Sequence, residues 1–242
     1  METFSREVAM FRTLSFSLSV VIFCALNPFV VKANEEKKVG DWEVIAQEDG
    51  FITKRKEVSE SSIFAFRGEM VADLHISKIV SAFLDSSRRK EWVDRFGEQV
   101  NIEGEGLNKI YWIRFAMPLL ISDRDYVLKT NGEIDKDRQV LTTHIHSVEH
   151  PAKEKDDCCI RAQAFGTYYR FEAIKGEEKT RLEVEVHTDP KGWLPAFLVN
   201  MIQKNWPKKT LSNLVKASMR DDVIPDQRFL EWGKVIGKDP KK

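Results

Sequence analysis

The sequence predicts an α+β fold in which one antiparallel sheet is crossed by a long C-terminal helix. Three observations lead there. Short segments bounded by Gly, Pro, Asn or Asp fill the middle of the chain, the pattern of consecutive antiparallel strands. A helical stripe of Leu74, Ile76, Ile79, Val80, Phe83 and Leu84 precedes most of them. The longest helical pattern, over residues 193–219, follows the last of them. Its apolar residues are Leu194, Phe197, Leu198, Met201, Ile202, Trp206, Leu211, Leu214 and Val215, at spacings dominated by three and four.

The elements follow in order. Residues 1–33 read as a secretory leader: Arg6 and Arg12 precede an uncharged apolar run over 14–26, and Val31-Lys32-Ala33 places cleavage after Ala33. That run is shorter than the roughly 20 residues of a membrane-spanning helix. An uncleaved anchor is the alternative. Residues 42–47 and 51–56 are strands joined by Glu48-Asp49-Gly50, and 62–70 is a third. Asp73 is placed to cap the helix over 74–84, and 86–92 continues as a short charged helix. Strands are expected at 100–103, 109–117, 124–131 and 138–148, with Asn131-Gly132 as a turn between two of them. Further strands are expected at 160–165, 168–174 and 181–188. The last alternates Leu182, Val184 and Val186 against Arg181, Glu183 and Glu185, so it is half buried. Pro207 is expected to kink the final helix. Residues 223–242 form a short helix or charged tail after a domain spanning 34–222.

Composition removes several functions. The 242 residues are 42% hydrophobic and 31% charged, as in a globular chain. Lys+Arg and Asp+Glu are both 38, so no large basic surface for nucleic acid is expected. No Gly-x-Ser-x-Gly elbow, phosphate-cradling glycine loop or dinucleotide fingerprint is present. Of the three cysteines, Cys158 and Cys159 remain after cleavage. Adjacent cysteines rarely bond to each other, so one is expected to point into the core and one out. His144 and His146 share one strand face but lack an evident third partner, so no metal site is expected. Arg124 and Asp125 read as a structural ion pair.

Several stretches together resemble the START family of StAR-related lipid-transfer domains. They are Ser87-Arg88-Arg89-Lys90-Glu91-Trp92-Val93-Asp94; Pro118 with Ile121-Ser122-Asp123-Arg124-Asp125-Tyr126-Val127; Ser147-Val148-Glu149-His150-Pro151; Ile160-Arg161-Ala162; and Asp189-Pro190-Lys191-Gly192-Trp193-Leu194-Pro195 with Asn200 after it. Each is weak alone; in this order over about residues 40–220 they are specific. Gly166-Thr167-Tyr168-Tyr169 departs from the Gly-Gly-Trp-like turn of many members. Some sterol-binding members place a buried acid and base on central strands; Arg114 and Asp125 are the nearest candidates here, and strand parity points both outward.

The resemblance implies a helix-grip fold: a curved antiparallel sheet wrapped around the long C-terminal helix, with an internal hydrophobic cavity that binds a lipid or sterol. It also implies a carrier or sensor without catalytic residues or cofactor. An enzyme of the same fold, a cyclase or hydrolase acting on a hydrophobic substrate through His144 or His146, is the alternative. A domain whose interior is filled by side chains is a third reading. Alternation against Arg114, Asp125, Lys129, Arg161, Gln163, Glu183 and Glu185 selects the expected lining: Tyr111, Ile113, Phe115, Tyr126, Leu128, Ala162, Ala164, Val184 and Val186. Phe197, Met201, Thr210 and Leu214 are chosen from the helix. The same residues can equally fill a solid core. Lys204, Lys208, Lys209 and Lys216 give the helix a basic side, suited to solvent or to transient contact with an anionic membrane. The expected protein is an exported, periplasmic or secreted monomer whose partner is a lipid or other hydrophobic small molecule.

Overall fold

Alternating side chains build the sheet, and the described residues show how it closes around the final helix. The computed structural model describes residues 40–118, 121–155 and 157–234. The expected leader, its cleavage site and the charged end of the tail lie outside them. The chain runs β1 (Glu43–Glu48), β2 (Phe51–Lys56), β3 (Ala65–Ala72), α1 (Ile76–Leu84), α2 (Arg89–Trp92), β4 (Phe96–Glu105), β5 (Asn108–Phe115) and β6 (Asp123–Asp135). It continues through β7 (Val140–Ser147), β8 (Cys159–Arg161), β9 (Gln163–Ala173), β10 (Thr180–Asp189) and α3 (Ala196–Ser218). The strands form one curved sheet in the order β1-β2-β3-β10-β9-β7-β6-β5-β4, antiparallel except that β8 lies parallel to the start of β6. Strands from the two ends of the chain therefore meet at β3–β10, and α3 packs across β2, β3 and β10 and against α1 and α2.

Close packing of α3 depends on one glycine. A Cβ on Gly68 of β3 would lie 2.6 Å from Pro207 of α3 and 2.6 Å from Phe51. Pro207 is buried and helical on both sides, and it is the part of α3 that presses on β3. Asn200 fixes the first half of the helix: its Oδ1 accepts from Phe64 N (2.9 Å) and its Nδ2 donates to Ser62 O (3.0 Å).

Several local expectations are corrected. Asn131-Gly132 is not a turn; β6 runs through it, and the turn falls over residues 136–139. Gly132 is small there because Leu107 packs on it, with a Cβ at 2.6 Å from the Leu107 side chain. The two strands expected over 160–165 and 168–174 are divided elsewhere. β9 continues through Gly166, and a bulge against β10 at His187/Thr188 absorbs one residue. That extra residue leaves Phe165 on the outer face, stacked on His187 at 4.7 Å. His75, not Asp73, caps α1: its Nδ1 accepts from Ser77 N (3.2 Å), while Nε2 bonds the Trp232 carbonyl (2.8 Å). Cys158 and Cys159 are joined in a disulfide instead of straddling the sheet. They sit where a turn enters β8, and Cys158 is exposed.

The segment after α3 is docked rather than loose. It holds one 3-10 turn, Gln227–Phe229, with Val223, Phe229 and Trp232 buried against α1. Asp226 N donates to Ser77 O (3.0 Å), and Gly233 N to Gln139 Oε1 (2.8 Å).

Candidate functional site

The space between sheet and helix is filled at one end and hollow at the other. At the filled end, α1 delivers Ile76, Ile79, Val80 and Phe83, and Phe83 meets Tyr169 and Phe171 at ring distances of 4.9 and 5.1 Å. The second half of α3 adds Leu211, Leu214 and Val215 to this core. At the other end, beneath the first half of α3, lies a cavity of about 190 Å³.

Strand parity supplies the cavity wall. Tyr111, Ile113 and Phe115 of β5 stand beside Leu128, Tyr126 and Arg124 of β6, and all of them line the space. Ile145 of β7, Ala164, Thr167 and Tyr169 of β9, and Val186 and Thr188 of β10 continue the wall. The helix contributes Val199, Ile202, Gln203 and Trp206, with Leu194 just before it. Burial pushes the Tyr126 hydroxyl up to about 12, against a hydrogen bond from Thr188. It also raises Tyr111 and Tyr169, so all three stay neutral and act as hydroxyls at physiological pH.

Of the expected lining, Tyr111, Ile113, Phe115, Tyr126, Leu128, Ala164 and Val186 border the cavity. Ala162 and Val184 do not; both are buried in the packed core, where neighbours already cover them. Thr210 and Leu214 lie in the filled half of α3 and are fully enclosed by protein. Phe197 and Met201 point away from the cavity and are 74% and 56% exposed. The helix is apolar on both sides in this stretch, so its stripe did not specify which side turns inward. Val199, Ile202, Gln203 and Trp206 were missed for that reason. Ile145 was recoverable, because it alternates with His144 and His146. Those histidines flank an inward residue and therefore stand on the outer face, away from the cavity. Among the described residues no group of three or more His, Cys, Asp or Glu is placed to hold a metal.

Two motif stretches bond directly. Arg124 Nε donates to Pro190 O (3.1 Å) and Nη2 to Lys191 O (3.1 Å), while Nη1 donates to Ser122 O (2.6 Å). The guanidinium thus holds the turn that leads into α3. It does not pair with Asp125, as expected from sequence, because adjacent residues on a strand point to opposite faces. Asp125 is buried on the outer face and accepts from Trp112 Nε1 (2.7 Å) and from Arg161 Nε and Nη2 (3.0 and 2.8 Å). In that turn Lys191 and Gly192 have φ of 52° and 73°. A Cβ on Gly192 would lie 2.8 Å from Ile160.

Residues 21–220 match the START domain family. The chain belongs to the START domain family. The phosphatidylcholine transfer protein of Mus musculus is 23% identical over 181 residues, covering 73% of this chain and 83% of the relative. An uncharacterized protein of Pseudomonas aeruginosa is 24% identical over 178 residues, covering 74% and 87%. Among solved structures, human StAR-related lipid transfer protein 5 superposes with a TM-score of 0.67 at 20% identity, covering 76% of this chain and 88% of that one. A STAR-related lipid transfer protein of Xanthomonas axonopodis gives 0.63 at 17%, covering 74% and 99%. At these identities the structures share the START fold. The curved sheet with its C-terminal helix is thus the START architecture.

The interior end of this START domain's cavity is less apolar than its wall. Arg89, the first residue of α2, lines it while only 7% exposed. Its guanidinium lies over Phe83 and Trp92, at 5.3 and 4.8 Å from the ring centres. Lys109 of β5 stands nearby, also 7% exposed, with Nζ 3.2 Å from Ser86 Oγ. Burial, and then the charge of Arg89, lower its pKa to about 8. From sequence, Arg88-Arg89-Lys90 is a uniform charged run, and nothing marks the middle residue as the buried one.

Proposed function

We propose that this START domain carries a single lipid, apolar chain along the β5–β6–β9–β10 wall and polar head toward Arg89, without catalysing a reaction. The observation that carries the reading is the hollow beneath the first half of α3, whose apolar wall ends at a buried cation. Each methylene moved from water to such a wall gains about 0.8 kcal/mol, so even one acyl chain supplies a substantial driving force. Arg114 and Asp125 stand on the outer face in separate ion pairs, so they offer a sterol hydroxyl no partner inside.

The cavity's 190 Å³ is small beside the roughly 300–1,000 Å³ of common ligand pockets. Loading therefore requires the first half of α3 to move outward. Its tethers are few: Asn200 to the 62–64 loop and Gln203 Nε2 to Thr188 O (2.7 Å). Its outer side carries Phe197 and Met201, and Trp193, 93% exposed, stands in the turn just before it; such a surface suits transient contact with a bilayer at the moment of exchange. The leader pattern of residues 1–33 supports export to the periplasm or beyond, which N-terminal sequencing of the mature protein checks; the expected first residue is Asn34.

The test is transfer of a fluorescent phospholipid between vesicles. A disulfide joining cysteines placed at Ser62 and Asn200 is expected to stop transfer, and reduction to restore it, with reduced wild type as control. Unchanged transfer in the tethered protein refutes opening at α3. No transfer by wild type, with no lipid in mass spectra of the purified protein, refutes the carrier.

A further inference from the structure

We infer that the inner end of the cavity selects a lipid head with net negative charge and no cation of its own, a carboxylate or phosphate monoester, and that Lys109 sets this preference. The inference rests on the carrier reading. Of the buried, unpartnered polar atoms on residues that border the cavity, the two on α2, Arg89 Nε and Trp92 Nε1, are donors, and the acceptor Gln203 Oε1 lies on α3 beside Thr188. Among the described residues, no hydrogen bond or ion pair satisfies the Arg89 guanidinium, and its Nε is buried without a partner. Trp92 Nε1 is likewise buried and unpartnered, and Trp92 also lines the cavity. Guanidinium, ammonium and indole N–H offer protons and accept none. Their complement is an acceptor-only group, best if ionised.

Lys109 distinguishes an anion from a zwitterion. It lies two residues before the wall residue Tyr111 on the same strand face, and its ammonium sits 5.6 Å from the Tyr111 ring centre. It does not border the cavity, so it acts by its field rather than by contact. Lys109 and Arg89 are both buried and carry like charge, and the charge of Arg89 adds to burial in lowering the Lys109 pKa. An anion near Arg89 relieves both. The acid on the cavity's rim, Asp94, is engaged elsewhere, 3.3 Å from Lys209 and 3.9 Å from Arg95. A quaternary ammonium needs open aromatic faces, yet the Phe83 and Trp92 rings already carry the Arg89 guanidinium. The head group in the name of the phosphatidylcholine transfer proteins would bring a third cation to this corner.

Binding of oleate, dioleoyl phosphatidic acid and dioleoyl phosphatidylcholine to the purified domain, by native mass spectrometry and by vesicle transfer, tests this. Wild type is expected to take oleate or phosphatidic acid at least tenfold better than phosphatidylcholine, and whichever of the two dominates names the head as carboxylate or phosphate. Lys109→Met is expected to lose that preference by tenfold or more without loss of phosphatidylcholine uptake, and Lys109→Arg to keep it. A thermal melt of Lys109→Met confirms that the variant is folded. Equal or better binding of phosphatidylcholine by wild type, or an unchanged preference in Lys109→Met, overturns the inference while leaving the carrier standing. Failure of all three lipids to bind removes the carrier, and this inference with it.

Discussion

The two halves of α3 have opposite roles, and the half that is richer in apolar residues is the one less completely packed. From Thr210 onward the helix is packed on every inward side, with Leu211 and Leu214 fully buried among α1 and the strands. Before Pro207 the helix bridges a hollow, and the residues facing it, Val199, Ile202 and Trp206, have space beneath them. The difference comes from what lies opposite. α1 supplies Phe83 and its aliphatic neighbours to one end and nothing to the other. A single helix thus combines a half held by close packing with a half that bridges the hollow and carries few polar tethers, and the second is the half that the proposed opening would move.

The largest expected effect breaks the anchor. Leu214→Ala should cost about 2–5 kcal/mol of stability by denaturant unfolding, as for other buried leucines. Ile202→Ala should cost clearly less, because part of its surface already meets empty space. Equal losses would erase the distinction between the halves. Next, Gly68→Ala places a methyl against Pro207 and Phe51 at the junction, and overpacking of this kind costs about 1–3 kcal/mol. If the melting temperature does not fall, α3 is not seated on β3 as described.

A smaller effect concerns pH. Below about pH 8, Lys109 is charged in both folded and unfolded chains, and burial of that charge is a full penalty. Between pH 8 and 10.5 the unfolded chain retains a proton that the folded one has lost. The unfolded state then binds more protons, so this residue's contribution to stability rises with pH. Lys109→Met should therefore be more stable than wild type at pH 7, with the gap closing above pH 8 in paired denaturant titrations. A gap that widens with pH contradicts the burial. Smallest of all, Trp193→Ser and Phe197→Ser should leave stability within about 0.5 kcal/mol. They should nonetheless reduce vesicle binding in a sedimentation assay; unaltered sedimentation would leave the exposed apolar surface at the start of α3 and the turn before it without its proposed role.

Strands proved readable where alternation was clean. Tyr111, Ile113 and Phe115, and then Tyr126 and Leu128, reach the cavity wall because a period of two admits one inward set. Helix phase was not readable. Phe197, Leu198, Val199, Met201, Ile202 and Trp206 spread over about 200° around the helix at roughly 100° per residue, so the stripe does not say which side is inward. Two turns were misread for related reasons. Gly132 and Gly166 carry the mark of a bend in sequence, yet one accommodates Leu107 and the other lies beside a bulge, both facts of long-range pairing. Arg89 was hidden most completely, since burial of one charge among three depends on where α2 sits.

The docked segment beyond α3 bears on how the protein can be produced. The family match stops at residue 220, and a shortened version cut there would delete Val223, Phe229 and Trp232. It would strip α1 of its outer cover, remove the carbonyl that orients the His75 cap and leave Gly176 N without its bond to Gly233 O. Such a fragment would present bare apolar surface to water and aggregate, whereas one extended through Lys234 would retain the whole seam.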